Sequence, residues 1–104
     1  MTPEADILRR AATALRWRQG YSKYGAGRVY PGGRGLSNKM ERDGRMPTLA
    51  TWHKYLAALG ADWAMWAETV AAVEQGEAWV EEVLRLDAAG RSPRDGVPAG
   101  VPRI

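Results

Sequence analysis

The sequence predicts a small all-α protein, and three observations carry that prediction. Helix-forming residues such as alanine, leucine, arginine and glutamate outweigh the β-branched residues, and no stretch sustains the polar and apolar alternation of a strand. Apolar residues instead recur every three or four positions, as on one face of a helix. With 104 residues, the chain is long enough for one core, so we expect a single bundle of about five helices.

The first helix is predicted to begin at Thr2, a favoured capping residue, with Pro3 at the first helical position. Five apolar residues at helical spacing define one face: Ile7, Leu8, Ala11, Ala12 and Leu15. Arginines surround this face, among them Arg16 and Arg18. The helix should stop near Gly20.

Residues 20–35, "GYSKYGAGRVYPGGRG", are predicted to form a glycine-rich loop with at most one helical turn. They hold six glycines and one proline in sixteen positions. Each interior glycine costs roughly 1 kcal/mol in a helix and a proline roughly 3 kcal/mol, which argues against a long helix here. A short helix should follow over residues 36–44, with Leu36 and Met40 both pointing inward.

The next helix is predicted to begin at Pro47 and Thr48 and to end at Gly60 in a left-handed stop. One apolar stripe runs along it: Leu49, Trp52, Leu56 and Leu59. Four tryptophans at helical positions are expected to supply core bulk: Trp52, Trp63, Trp66 and Trp79. The lone His53 beside the stripe is interpreted as a structural histidine, since no second histidine or any cysteine accompanies it.

Two acidic helices are predicted to complete the domain. Asp62 caps a helix running towards Gly76, and a last helix covers residues 77–89, with Gly76 either breaking or bending one long helix. Five apolar residues form a heptad-like seam along both: Trp66, Val70, Val73, Val80 and Leu84. This seam either closes on the domain's own core or is shared between two chains of a homodimer. Residues 91–104, with three prolines and two glycines, are predicted to be a disordered tail.

Charge divides the predicted domain, residues 1–90, into two parts. Residues 1–60 carry eleven basic and four acidic residues, whereas residues 61–90 carry one basic and seven acidic residues. A basic front can be the electrostatic footprint for a polyanion, with the acidic part facing away or meeting a partner. Two ordinary solvated surfaces are the alternative.

The stretch "MERDGRMPTLATWHKYLAALG", residues 40–60, resembles the end of the recognition helix, the connecting turn and the fourth helix of the Cro/XRE-type helix-turn-helix family. The matching residues are Glu41, Arg42 and Gly44, then Pro47 and Thr48, then Leu59 and Gly60. A weaker likeness extends backwards, so that the whole resemblance covers residues 7–66. It implies a helix-turn-helix core that binds duplex DNA, commonly as a dimer.

The chain departs from that family's pattern at three points. "ERDG" has one residue more than the family's usual triplet, and Lys23 stands where the family often has a glutamine that reaches the DNA backbone. The glycine-rich stretch occupies the place of the family's second helix. A loop there could enter a DNA groove, or it could abolish DNA binding.

Eight residues are the candidate DNA contacts: Lys23, Arg28, Arg34, Ser37, Asn38, Lys39, Arg42 and Arg45. Phosphate contacts need cations and backbone donors, which the basic residues and the neighbouring glycines supply. Arg34, Ser37 and Asn38 stand at the start of the expected recognition helix, where side chains reach base edges. Glu41 is expected to make a structural ion pair or cap contact. Tyr24 and Tyr30 either stack on bases or anchor the loop.

Catalysis has little support in the sequence. We find no nucleophile motif, no phosphate-binding glycine signature and no metal-ligand spacing, so we expect no catalytic site, cofactor or metal. The absence of cysteine and of a signal peptide favours a cytoplasmic protein. No apolar run approaches the roughly 18 residues that span a bilayer, so we expect no membrane span. The predicted function is therefore a small DNA-binding regulator. The alternative is a phage or mobile-element accessory protein that grips another protein through the glycine-rich loop and tryptophan-rich helices.

Overall fold

The computed structural model describes residues 1–102, which contain helices and no strands. The α-helices are α1 (Pro3–Arg18), α2 (Lys23–Val29), α3 (Gly33–Asp43), α4 (Leu49–Ala58), α5 (Trp63–Glu74) and α6 (Ala78–Ala88), and a 3-10 turn follows at Pro93–Asp95. The all-α prediction is confirmed. Within this range no helix has both the length and the apolar composition that crossing a membrane would require.

Helix α1 is the central element, because α3, α5 and α6 all pack against it. The Thr2 hydroxyl accepts a hydrogen bond of 3.1 Å from the backbone amide of Ala5, so the predicted cap is confirmed. Ala11, Ala12 and Leu15 are buried as expected. The same helix also buries two of its arginines, and these position the other helices.

Residues 23–29 form helix α2, so the predicted glycine-rich loop is wrong. Ser22 caps the helix, its hydroxyl accepting a hydrogen bond of 3.0 Å from the amide of Gly25. Ala26 is fully buried, and Gly33 at the start of α3 lies so close that a Cβ there would come within 2.8 Å of the Ala26 carbonyl oxygen. The glycines therefore allow α2 and α3 to pack closely, and this tertiary contact offsets their low helix propensity.

Helix α4 follows the predicted boundaries, with one error in its buried face. Thr48 caps it, and Gly60 adopts the expected left-handed conformation, with φ +76°. Trp52 and Leu56 are buried, but Leu49 is 68 % exposed. Leu49 is the first residue of the helix and lies one turn before the helix reaches the core. The helical spacing placed it on the apolar stripe, but the prediction that it is buried is wrong.

Gly76, with φ +65°, separates α5 from α6. Helix α5 has the predicted cap, because the Asp62 carboxylate accepts a hydrogen bond of 2.8 Å from the amide of Met65. The seam residues of both helices face the domain's own core: Trp66, Val73 and Val80 are buried, and Val70 and Leu84 pack partly buried against them. Of the two alternatives for this seam, the structure thus shows the first, in which it packs within the chain.

Residues 91–102 pack against the helices, which corrects the predicted disorder over this part of the tail. Val101 is buried in the core cluster, and the Arg18 Nε donates a hydrogen bond of 3.2 Å to the backbone carbonyl of Pro102. A capping box between Ser92 and Asp95 stabilises the 3-10 turn. Residues 103 and 104, which the tail prediction also covered, lie outside the described residues.

Three of the four tryptophans predicted for the core are buried there: Trp52, Trp66 and Trp79. Trp17 is a further buried tryptophan. Trp63 is 38 % exposed, and its Nε1 donates a hydrogen bond of 2.9 Å to Nδ1 of His53. This contact joins α4 to α5, so His53 has the structural role that the sequence predicted.

Candidate functional site

A buried arginine positions α3 and α6 on α1. The Arg16 Nε and Nη2 each donate a hydrogen bond of 2.9 Å to the carboxylate of Glu41 on α3. The same Nη2 lies 2.6 Å from Oδ1 of Asp87 on α6. Trp17 adds a hydrogen bond of 3.0 Å from its Nε1 to Asp87. Three helices therefore meet at one guanidinium, which orients the exposed side of α3.

The charge of Arg16 is kept by its two partners. Burial by itself lowers the pKa of Arg16, but hydrogen bonds to Glu41 and Asp87, with the charges of those carboxylates, raise the pKa above its ordinary value. The predicted structural ion pair of Glu41 thus forms with Arg16. This partner could not be predicted from the sequence, because the pairing joins residues 25 positions apart in the chain.

Ser37 cannot contact a base, which corrects its prediction as a DNA contact. It is fully buried, and its hydroxyl donates a hydrogen bond to the Glu41 carboxylate. The hydroxyl of Thr13 on α1 donates another to the same carboxylate, at 2.9 Å. Ser37 therefore helps to satisfy the buried ion pair and lies on the inner side of α3.

The other candidate residues of α3 are exposed and share one side of the helix: Arg34, Asn38, Lys39 and Arg42. With 3.6 residues per turn, Arg34 and Asn38 lie towards one edge of this side and Lys39 towards the other. Arg42 is engaged locally, because its Nε and Nη2 each lie 3.2 Å from the carboxylate of Asp43. This contact raises the pKa of Arg42 through the hydrogen bonds and the charge of Asp43.

The remaining candidates flank α3. Lys23 and Arg28 lie exposed on α2, and Arg45 lies exposed in the segment that joins α3 to α4. Five of the candidate cations have no carboxylate at ion-pairing distance within residues 1–102: Lys23, Arg28, Arg34, Lys39 and Arg45. The structure thus brings seven of the eight predicted residues to the surface around α3. Six of the seven are basic, and five of those six lack an acidic partner among the described residues.

A cleft separates α3 from α6, and we call it the α6-side cleft. It consists of two adjacent pockets of about 540 and 460 Å³ that share Lys23, Asn38 and Asp87. Its lining includes six basic side chains and two acidic ones. The two acidic residues, Glu41 and Asp87, are the partners of Arg16. The cleft is therefore predominantly basic.

A second cleft of about 420 Å³ lies at the other edge of the exposed side of α3, and we call it the linker-side cleft. Lys39 and Arg45 line it together with Gly32, Gly35 and the segment before α4. The exposed side of α3 therefore lies between two clefts that both carry cations.

Sequence reasoning missed Arg9 and Arg91, which line the α6-side cleft, whereas it named Tyr24, which also lines it, as a possible stacking residue. Tyr24 is 65 % exposed, with the guanidinium of Arg28 5.9 Å from its ring, whereas Tyr30 packs edge-on against Tyr55 at 5.9 Å. Tyr30 is thus an anchor rather than a stacking surface. Arg91 had no signal, because it belonged to a segment predicted to be disordered.

No protein-family model, no curated protein and no solved structure matches this chain. Residues 1–102 contain no group of three or more histidine, aspartate or glutamate side chains arranged to hold a metal ion.

Proposed function

We propose that this protein is a small regulator that binds duplex DNA, with α2, the turn over residues 30–32 and α3 acting as a helix-turn-helix unit. The observation that supports it most directly is the exposed side of α3, where Arg34, Asn38 and Lys39 lie between two basic clefts. In such units the second helix enters the major groove and its N-terminal residues contact base edges. Arg34 and Asn38 occupy those positions.

The side-chain chemistry suits both parts of DNA recognition. Arginine can bind guanine through two hydrogen bonds, and asparagine can bind adenine in the same way. Lys23, Arg28 and Arg45 supply cations for phosphates beside the helix. Because Arg42 is already paired with Asp43, it contributes less than the unpaired cations.

The acidic helices leave this surface basic because many of their carboxylates are already paired. Glu68 pairs with Arg18, Glu81 with Arg10, and Asp87 with Arg16. Within residues 1–102 the cations around α3 are therefore mostly unpaired, whereas Glu81 and Asp87 on the neighbouring α6 are paired with arginines. A polyanion meets little repulsion there.

The protein-binding alternative loses the features on which it was based. Its glycine-rich loop is α2 and the start of α3, and of its tryptophans only Trp63 is substantially exposed. We therefore favour a DNA-binding protein over a protein-binding accessory factor.

Fluorescence anisotropy with a labelled random duplex tests the proposal. The parent chain should bind at about 50 mM salt, with affinity falling steeply as salt rises. Replacing Arg34 and Lys39 with alanine should weaken binding through the loss of a base contact and of a phosphate contact. It should also flatten the plot of log K against log salt by about 0.9, the amount that one lost phosphate contact removes. Lys54→Ala is the matched control, because Lys54 is an exposed cation on α4 outside both clefts.

The proposal fails if the parent shows no binding at about 50 mM salt up to ~10⁻⁴ M, the weak end of ordinary non-specific affinity. It also fails if Lys54→Ala lowers the salt slope as much as the variant of α3 does. That result would mean that total charge, rather than the exposed side of α3, sets the affinity.

A further inference from the structure

The end of α6 places a cation opposite α3. The chain leaves the helix through a left-handed turn at Gly90, whose amide donates a hydrogen bond of 3.0 Å to the Asp87 carbonyl. The next amide, that of Arg91, donates one of 2.9 Å to the carbonyl of Leu86. This pair of bonds is the Schellman arrangement, which fixes the backbone direction. The Arg91 side chain therefore starts from a defined point on the far wall of the α6-side cleft.

Three basic residues that have no acidic partner among the described residues line the larger pocket of the α6-side cleft, the one of about 540 Å³. Lys23 and Arg34 lie on the α2 and α3 side, and Arg91 lies on the other. Within residues 1–102, the Arg91 side chain makes neither a hydrogen bond nor an ion pair. Asp87 also lines the pocket, but it is held by Arg16 and Trp17 and its side chain is only 20 % exposed. Cations gathered in this way attract an anion.

The sugar-phosphate backbone of a DNA duplex is an anion that would reach this pocket. A helix lying in the major groove, which is about 12 Å wide, has a sugar-phosphate strand on each side of it. One strand would run along the linker-side cleft, past Lys39 and Arg45. The other would run along the α6-side cleft, past Lys23 and Arg34 on one wall.

We infer that Arg91 is a DNA phosphate contact, so that one strand of the duplex is held between α3 and the turn after α6. This inference rests on the proposed function and extends the interface to a part of the chain outside the helix-turn-helix unit. Its ligand is the phosphodiester backbone of duplex DNA. The contact carries no sequence information and serves to position α3 in the groove.

The test compares Arg91→Ala, Arg91→Lys and Arg94→Ala in the full chain by the same anisotropy titration across salt concentrations. Arg94 is the matched control, because it is an exposed arginine three positions away that lines none of the clefts. We expect Arg91→Ala to weaken binding about fivefold and to reduce the salt slope by about 0.9. Arg91→Lys should keep the slope, since lysine also neutralises a phosphate. Far-UV circular dichroism checks that all three variants keep the parent's helix content.

The two proposals fail in distinguishable ways. If the parent binds duplex and loses affinity in the Arg34 and Lys39 variant, but Arg91→Ala keeps the parent's affinity and slope, only the inference about Arg91 is overturned. The inference about Arg91 is also overturned if Arg91→Lys reduces the salt slope as much as Arg91→Ala does. The same holds if Arg94→Ala reduces the slope as much as Arg91→Ala does. A parent chain that does not bind duplex overturns both.

Discussion

Arg16 and Glu41 join α1 to α3 through two parallel hydrogen bonds of 2.9 Å, and both side chains are almost completely buried. Removing one member of such a pair leaves a buried charge with incomplete compensation. This pair therefore positions the proposed DNA-binding helix, and removing one partner should destabilise the domain.

Glu41→Ala is expected to lower the free energy of unfolding by roughly 3–5 kcal/mol, because Arg16 would keep only Asp87 as an acidic partner. Urea unfolding followed by circular dichroism measures the change. Glu82→Ala is the control: it also breaks a glutamate–arginine pair, with Arg85, but on the exposed side of α6, and its unfolding midpoint should match the parent's. Equal midpoints for Glu41→Ala and the parent would show that the buried pair does not hold α3.

Trp52→Ala should destabilise the fold by roughly 3–5 kcal/mol, since it removes a large buried ring and leaves a cavity. That ring stacks on Tyr55 at 5.0 Å and meets Trp66 edge-on at 5.1 Å. Leu49→Ala on the same helix should change the free energy by less than about 0.5 kcal/mol, because Leu49 is exposed. Thermal melts of the two variants give the comparison, and a larger loss for Leu49→Ala would contradict the packing of α4.

Gly44→Ala should destabilise the protein more than Gly76→Ala does. The two glycines have almost the same left-handed backbone, with φ +66° and +65°, so the conformational cost of alanine, about 1–2 kcal/mol, is shared. At Gly44 a Cβ would also collide with the backbone carbonyl of Ala5, whereas nothing lies within 4 Å at Gly76. The difference between the two melting temperatures measures this contact between α1 and the end of α3. Equal losses would show that α1 yields to the added methyl group.

Stability should fall between pH 10 and 12 because of Tyr55. Burial, and next the charge of Glu41, raise the pKa of Tyr55 from 10.0 to about 12. Below pH 10 both states keep the proton and the stability is full. Above it the unfolded state loses the proton first, so the free energy of unfolding drops by up to about 1.4 kcal/mol per pH unit.

Tyr55→Phe removes that proton and should show a smaller loss over the same pH range. Urea midpoints at pH 9, 10, 11 and 12 for both chains measure it, with any loss common to the two assigned to other groups. Parallel curves for the parent and Tyr55→Phe would count against a raised pKa at Tyr55.

The sequence predicted those features that depend on neighbours in the chain. Thr2, Thr48 and Asp62 cap their helices, because a capping side chain bonds to an amide only three positions ahead. Gly60 follows the end of α4 for a similarly local reason, since glycine readily adopts the left-handed conformation that ends a helix. The basic character of α3 and its surroundings was also readable, because charge is a property of composition.

Tertiary structure decided the rest, as α2, Ser37, Arg16 and Arg91 each show. Local propensity opposes a helix at α2, but the buried contact of Ala26 with the start of α3 outweighs the cost of its glycines. From the sequence alone, Ser37 and Arg16 are expected at the surface. In the structure both are buried, because both donate hydrogen bonds to Glu41, which is distant from Arg16 in sequence. Arg91 lines the α6-side cleft because tertiary packing places the end of α6 across that cleft from α3. Local sequence thus set where helices begin and end, whereas burial against distant residues decided which polar side chains remained available to bind a partner.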